Sequence, residues 1–244
     1  MTPENIFPNF PKTRNELPPE YKEIYSRHYE ENRKGDSTAS GLAQKLESWM
    51  HRKVAGDVKS GPERSTLEIG AGTLNQLQYE TNSNPYDIVE PFHELFEGSQ
   101  YLPRIRKVYD DIADIPEEVS YDRVISIAAF EHICNLPEVI ARSGILLNEG
   151  GKLRCGIPSE GTIMWKLGYT LSTGREFKRR YGLDYEVLMR YEHVNSATEI
   201  EEVLNYFFQK VERKVFGISR AVSFYQFYAC SIPDKQRCNS YLSQ

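Results

Sequence analysis

Acidic residues and glycines recur at intervals through the first half of the chain, each just past a short apolar run. Glu68, Gly70 and Gly72 stand in EIGAGTL, Glu90 ends IVE in PYDIVEP, and Asp111 opens DIADIP, with Asp110 beside it. Glycine tolerates positive φ and lets a ligand approach the backbone closely, so the pair at 70 and 72 suits a sharp turn against a bound molecule. Such a turn could also begin a dinucleotide site, but that pattern wants a third glycine at 75, where Asn75 stands. A carboxylate at a strand end can accept hydrogen bonds from both hydroxyls of a ribose, which is the chemistry Glu90 offers. Two histidines could exchange a proton near neutral pH: His132, after YDRVISIAAFE, and His193, in RYEHVNSATEI. Packing is the other role open to His132. For His193 it is helix capping nearby, since Asn195 or Ser196 can cap a helix starting near Ala197 with Glu199 in its first turn. His28, His51 and His93 have less support. Arg175, Lys178, Arg179 and Arg180, with Phe177 and Tyr181 interleaved, form either a solvated helix face or a clamp for a phosphate or carboxylate.

These residues need a scaffold, and the apolar runs supply one. STLEIGAG (65–72), PYDIVEP (85–91), RKVYDD (106–111), YDRVISIAA (121–129) and GKLRCGIP (151–158) are β-rich runs separated by helix-length segments, EIGAGTL among them leading into a helical stretch. That rhythm predicts a parallel, doubly wound sheet. KVERKVFGI (210–218) and SFYQFYACSIP (223–233) have no helix-length gap between them and should pair antiparallel. The expected fold is therefore α/β: a mostly parallel seven-stranded sheet with an antiparallel closing hairpin, N-terminal helices, and a helical insertion after the fifth strand. The first 20 or so residues, with five prolines, read as an irregular arm. Two amphipathic helices follow, Pro19 to about Arg33 (Tyr21, Ile24, Tyr25, Tyr29) and Ser37 to about Ala55 (Leu42, Leu46, Trp49, Met50). The expected division is an N-terminal part, 1–60, and a main domain, 61–244, in which 159–195 caps the substrate side.

In this setting EIGAGTL resembles the first motif of the class I S-adenosylmethionine-dependent methyltransferases, an acidic residue followed by x-G-x-G. DIADIP is similar to that family's Asp-x-x-x-(apolar)-Pro segment, and YDRVISIAAFEHI to its strand-four segment ending in Glu-His-(apolar). The closing hairpin resembles the ending of the family's sheet. The likeness covers about residues 62–158 and, more loosely, that hairpin. It implies S-adenosylmethionine as cofactor, held by Glu68, Gly70, Ala71, Gly72, Asn75, Glu90, Pro91, Asp111, Ile112, Ala128 and Ala129. In that scheme the Gly70–Gly72 backbone lines the methionyl part and Glu68 shapes its electrostatics. Asp111, or Asp110 one residue away, accepts from the adenine amino group while Ile112 packs on the ring. The small Ala128 and Ala129 admit the sulfonium, His132 and His193 are the candidates for acid–base work, and Arg179, Arg180 and Tyr191 belong to the acceptor side. The stretch from GIPSEGTIMWKLG to YEHVN also looks like small-molecule methyltransferases, some associated with surface-polysaccharide assembly. This makes a hydroxyl of a sugar or nucleotide-linked sugar the leading acceptor, ahead of a lipid, quinone or other phenol. Other readings are an RNA or protein methyltransferase, or a cofactor-binding subunit without catalysis.

Composition narrows the field. A chain of 244 residues with 39% hydrophobic and 27% charged residues suits one sizeable globular core. A net charge of −5 argues against a protein whose main task is gripping nucleic-acid phosphates. Cys134, Cys155, Cys230 and Cys238 form no CxxC pair and no zinc-ligand spacing with histidine, so neither a metal nor a disulfide framework is expected. The amino terminus has no signal-peptide core, and no window has the roughly 20 apolar residues of a membrane span. The expectation is a cytosolic enzyme with a small, anionic acceptor, with a homodimer left open.

Overall fold

The computed structural model describes residues 6–25, 41–60, 64–162, 165–166, 168, 170 and 173–244. Its centre is a seven-stranded sheet of β1 (Thr66–Ile69), β2 (Tyr86–Val89), β3 (Lys107–Tyr109), β4 (Tyr121–Ile127), β5 (Leu147–Pro158), β6 (Phe208–Gly217) and β7 (Ser223–Pro233). The strand order is β3-β2-β1-β4-β5-β7-β6. β1 pairs parallel with both β2 and β4, and β7 pairs antiparallel with both β5 and β6. The chain thus winds outward in two directions from β1 and β4, and the crevice beyond their carboxyl ends is where open α/β sheets bind ligands.

Period-two alternation sends successive strand residues to opposite faces. On one face Leu67, Ile69, Val124 and Leu153 pack under Ile140, Ile200, Leu204, Phe207 and Cys238. These come from helices α2 (Leu136–Leu146), α5 (Ala197–Phe207) and α6 (Lys235–Leu242), numbered in chain order together with α1 (Gly41–Val54) and, in the insertion, α3 (Thr173–Tyr181) and α4 (Tyr185–Glu192). On the other face Tyr86, Ile88, Ile125, Ile127 and Phe227 pack under Met50 and Val54 of α1. The short runs TLEI and YDIV are buried throughout, as strands covered on both faces must be.

The structure corrects the sequence reading at several elements. The helical stretch expected after EIGAGTL is a single 3-10 turn, Asn75–Gln78, entered through Leu74 at φ 65°. Leu74 and Leu77 are buried in the same cluster as Met50 and Val54 of α1. The β2–β3 connection likewise holds only the 3-10 turns His93–Leu95 and Leu102–Arg104. β5 begins at Leu147, four residues earlier than the run at 151 suggested. Helix α6 was not anticipated; Asp234 caps it by accepting from the Arg237 amide. Of the first expected helix, residues 19–25 are helical, while His28 and Tyr29 and the side chains of Leu42 and Leu46 lie outside the described residues. All four cysteines are free. Among the described residues no helix is long and apolar enough to cross a membrane.

Candidate active site

A cavity of about 1000 Å³ opens beyond the carboxyl ends of β1 to β4, walled on its far side by α4 and by the N-terminal segment. Gly70, Gly72, Asn75, Glu90, Pro91, Asp110, Asp111, Ile112, Ala128, Ala129, His132 and Tyr191 all line it. Glu68, Ala71, His193, Arg179 and Arg180 do not.

At the β1 end, Gly70 and Gly72 both have positive φ, 70° and 51°. Gly70 is required by its neighbour, because an added Cβ would stand 2.5 Å from Ala129 Cβ; at Gly72 an added Cβ would meet nothing within 4 Å. The Gly72 amide donates to Glu90 Oε2 at 2.8 Å and the Phe92 amide to Oε1 at 3.1 Å. Glu68 is buried behind this turn and accepts from the Tyr86 hydroxyl at 2.7 Å. Burial pushes its carboxyl up to about 8, the charges of Glu80 and Glu90 adding to the effect and the Tyr86 hydrogen bond offsetting part of it. Asp111 caps the 3-10 turn Ile112–Asp114 by accepting from the Ala113 amide, and Ile112 is buried beside it. Asp110 instead meets His93 Nε2 at 2.7 Å. Both aspartates reach the cavity, so geometry leaves either able to meet a ligand. Ala128 holds φ 50°, unusual for a residue with a side chain, and turns the chain out of β4 against the cavity.

That turn carries Glu131 and His132, and the end of the insertion pins it. The buried Asn195 donates through Nδ2 to the carbonyls of Phe130 (2.8 Å) and Ile133 (2.7 Å), while the Val194 and Asn195 amides donate to the Glu131 carbonyl. Ser196, not Asn195, caps α5, in a reciprocal capping box with Glu199. His132 Nδ1 donates to the Glu192 carbonyl at 3.0 Å. Burial lowers the pKa of His132, an effect that His193 reinforces and Glu131 opposes. His193 packs edge-on to His132, ring centroids 4.8 Å apart, with Nδ1 2.9 Å from Glu160 Oε2. Burial alone would lower the His193 pKa, but the Glu160 hydrogen bond and the charges of Glu131, Glu160 and Glu192 outweigh it and raise it. Glu131 is buried and its carboxyl is raised by that burial.

Among the described residues, Arg14 of the N-terminal segment puts a cationic side chain on the cavity wall. It donates to the His132 carbonyl at 2.8 Å and lies 5.8 Å from the Tyr191 ring centre. Tyr25, Tyr185 and Met189 complete this end, Tyr25 meeting Tyr191 edge-on at 5.2 Å. Arg179 and Arg180 are exposed on α3, Arg180 lying over the Tyr181 ring. Arg14 has no motif around it that would single it out, and only the fold brings it beside His132.

No protein-family model matches the chain, and no curated protein matches it in sequence. In structure it is similar to a SAM-dependent methyltransferase from Thermotoga maritima, with 13% identity and a TM-score of 0.53 over 87% of this chain and 99% of the other. It is similar to the plantazolicin methyltransferase BpumL in complex with a monoazolic desmethylPZN analogue and SAH, with 14% identity and a TM-score of 0.57 over 87% and 92%. It is also similar to the N-methyltransferase NodS from Bradyrhizobium japonicum WM9 in complex with S-adenosyl-L-homocysteine, with 14% identity and a TM-score of 0.51 over 80% and 90%. At these identities the likeness is one of architecture: the chain has the class I methyltransferase fold.

Proposed function

We propose that this chain is an enzyme that binds S-adenosylmethionine and transfers its methyl group to a small hydroxylated acceptor bearing an anionic group, a sugar or nucleotide-linked sugar foremost. The observation that carries this reading is the cavity, whose two ends have different chemistry. One end presents the Gly70–Gly72 backbone, Glu90 and the Asp110–Asp111 pair on successive strand ends; the other presents His132, Arg14 and three tyrosines. The first end fits the cofactor: Gly72 leaves open space where a side chain would stand, and Glu90 keeps lone pairs for ribose hydroxyls after its two backbone bonds. Two of the similar structures hold the demethylated cofactor, which supports the assignment.

When bound, the cofactor supplies a methyl group on a sulfonium, which an acceptor lone pair displaces in line. The chain's own task is then to align the acceptor and exclude water. Ala128 and Ala129 keep the end of β4 narrow, and segment 159–195, through α4, caps the acceptor side. His132 carries its hydrogen on Nδ1, so its Nε2 lone pair is the basic atom available to an acceptor hydroxyl. Arg14 replaces Arg179 and Arg180 as the clamp for a phosphate or carboxylate. The test is incubation with S-adenosylmethionine and a panel of free, phosphorylated and nucleotide-linked sugars, phenols, quinones and RNA, read by mass spectrometry. A one-methyl mass gain on an anionic sugar is expected. Methylation of RNA or of a neutral quinone alone would overturn the acceptor assignment.

A further inference from the structure

Around the turn after β4, three side chains converge with their ligating atoms facing one another. Glu131, His132 and His193 each offer one nitrogen or carboxylate oxygen, and the three atoms lie within 4.8 Å of one another. The other ring nitrogen of each histidine is already engaged. A carbonyl oxygen only accepts, so the contact with Glu192 puts the His132 hydrogen on Nδ1 and leaves the lone pair on Nε2, 3.8 Å from Glu131 Oε1. His193 gives its Nδ1 to the Glu160 carboxylate, which leaves Nε2 as its free nitrogen. Glu131 is 1% exposed, and its Oε2 has no hydrogen-bond partner. Lone pairs gathered beside a buried, unpartnered carboxylate are the arrangement a cation relieves. Imidazoles that bind metals are characteristically oriented by a carboxylate or carbonyl on the opposite nitrogen, as both are here.

We propose that Glu131, His132 and His193 bind one divalent transition-metal ion, with Glu160 and the Glu192 carbonyl orienting the two imidazoles. Two imidazoles and one carboxylate suit ions of the Co²⁺ or Zn²⁺ class rather than Mg²⁺ or Ca²⁺, which prefer oxygen throughout. Ligands about 2.0–2.3 Å from such an ion stand roughly 3–3.5 Å apart, so the cluster closes by about 1 Å on binding. Asn195 holds the turn that carries two of the ligands, and the Trp165 ring lies nearly parallel to His193, centroids 6.3 Å apart. The ligands come from positions 131, 132 and 193, a spacing with no zinc-type signature, which is why the sequence pointed to no metal. His132 belongs both to this cluster and to the cavity wall, so the ion adjoins the acceptor end. Resting on the methyl-transfer reading, its role is to take up the acceptor's hydroxyl oxygen and lower that group's pKa in place of the His132 base, whose Nε2 lone pair the bound ion occupies, the proton passing to solvent. The ion's binding does not depend on that reading.

The test uses the full chain, stripped with a chelator and titrated with Co²⁺ alone, followed by visible absorption and proton NMR. Saturation at one ion per chain is expected, with two paramagnetically shifted, solvent-exchangeable resonances from the imidazole N–H groups. Affinity should fall by about 10–100-fold in Glu160→Gln and by at least as much in His193→Ala. His93→Ala, which breaks the exposed His93–Asp110 pair, should bind Co²⁺ like the parent. Absence of saturable binding, or bound Co²⁺ without the shifted imidazole protons, overturns the site on the parent protein alone. Calorimetry of the stripped chain with S-adenosylmethionine separates the two readings. Cofactor binding without Co²⁺ binding removes the metal site only, and Co²⁺ binding without cofactor binding leaves the site standing and removes methyl transfer.

Discussion

Glu68 sits behind the glycine turn as a buried carboxyl raised from its ordinary 4.5 to about 8. Between those values the folded chain keeps a proton that the unfolded chain has lost, so this group's contribution is full at low pH and is lost as pH rises through the window. Glu68→Gln removes that dependence: its urea midpoint should decline less than the parent's from about pH 5 to about pH 8, and parallel declines would mean that Glu68 ionises normally. At the other end of the cavity, Arg14→Ala should raise the Michaelis constant for an anionic acceptor while sparing cofactor affinity, and Arg179→Ala should change neither. Steady-state kinetics decide, and the reverse pattern would return the clamp to α3. The two arginines show what sequence carries at this scale. Gly70, Gly72, Glu90 and Asp111 were legible as cavity residues because each ends a strand and strand ends converge in this topology. Arg14 reaches His132 across 118 residues of sequence, and no local pattern encodes that approach.

The strands could be read directly, since continuous apolar runs such as TLEI and VISI have few alternatives when both faces are covered. The connections could not. The segment after EIGAGTL forms a 3-10 turn whose Leu74 and Leu77 are buried with Met50 and Val54 of α1, a tertiary contact that overrides the local pattern. Gly70 also acquires a different meaning at this scale: its missing Cβ lets β1 approach the end of β4, so a larger residue there disturbs the fold as well as any ligand. One side chain of the insertion pins the turn after β4. Asn195→Ala leaves the Phe130 and Ile133 carbonyls without their donor, which should cost about 1–3 kcal/mol of stability. It should lower turnover more than cofactor affinity, because the turn it frees carries His132 and not Glu90. Equal losses in both would place the effect in general loosening of the fold, and denaturant titration with calorimetry on the same variant tells them apart.

Across the whole molecule, a buried ion-pair network ties the N-terminal part to the sheet. Arg123 on β4, 1% exposed, pairs with Glu80 at 3.0 Å and with Asp57 at 3.2 Å, and Arg154 on β5 also reaches Asp57 at 3.2 Å. Arg123→Met strands the buried Glu80 carboxylate and should cost about 3–5 kcal/mol, read as a lower urea midpoint; a change within experimental error would mean that the network adds nothing to the fold. Charge pairs of this kind were invisible in the sequence, where Asp57, Glu80 and Arg123 look like ordinary surface residues. They join the segment just after α1 to the neighbouring strands β4 and β5. What the cavity binds is tested most directly by calorimetry of the purified chain with S-adenosylmethionine and S-adenosylhomocysteine. Single-site binding of both is expected, weakened by about 1.5–3 kcal/mol in Glu90→Ala. No heat with either ligand, while NAD binds, would contradict it.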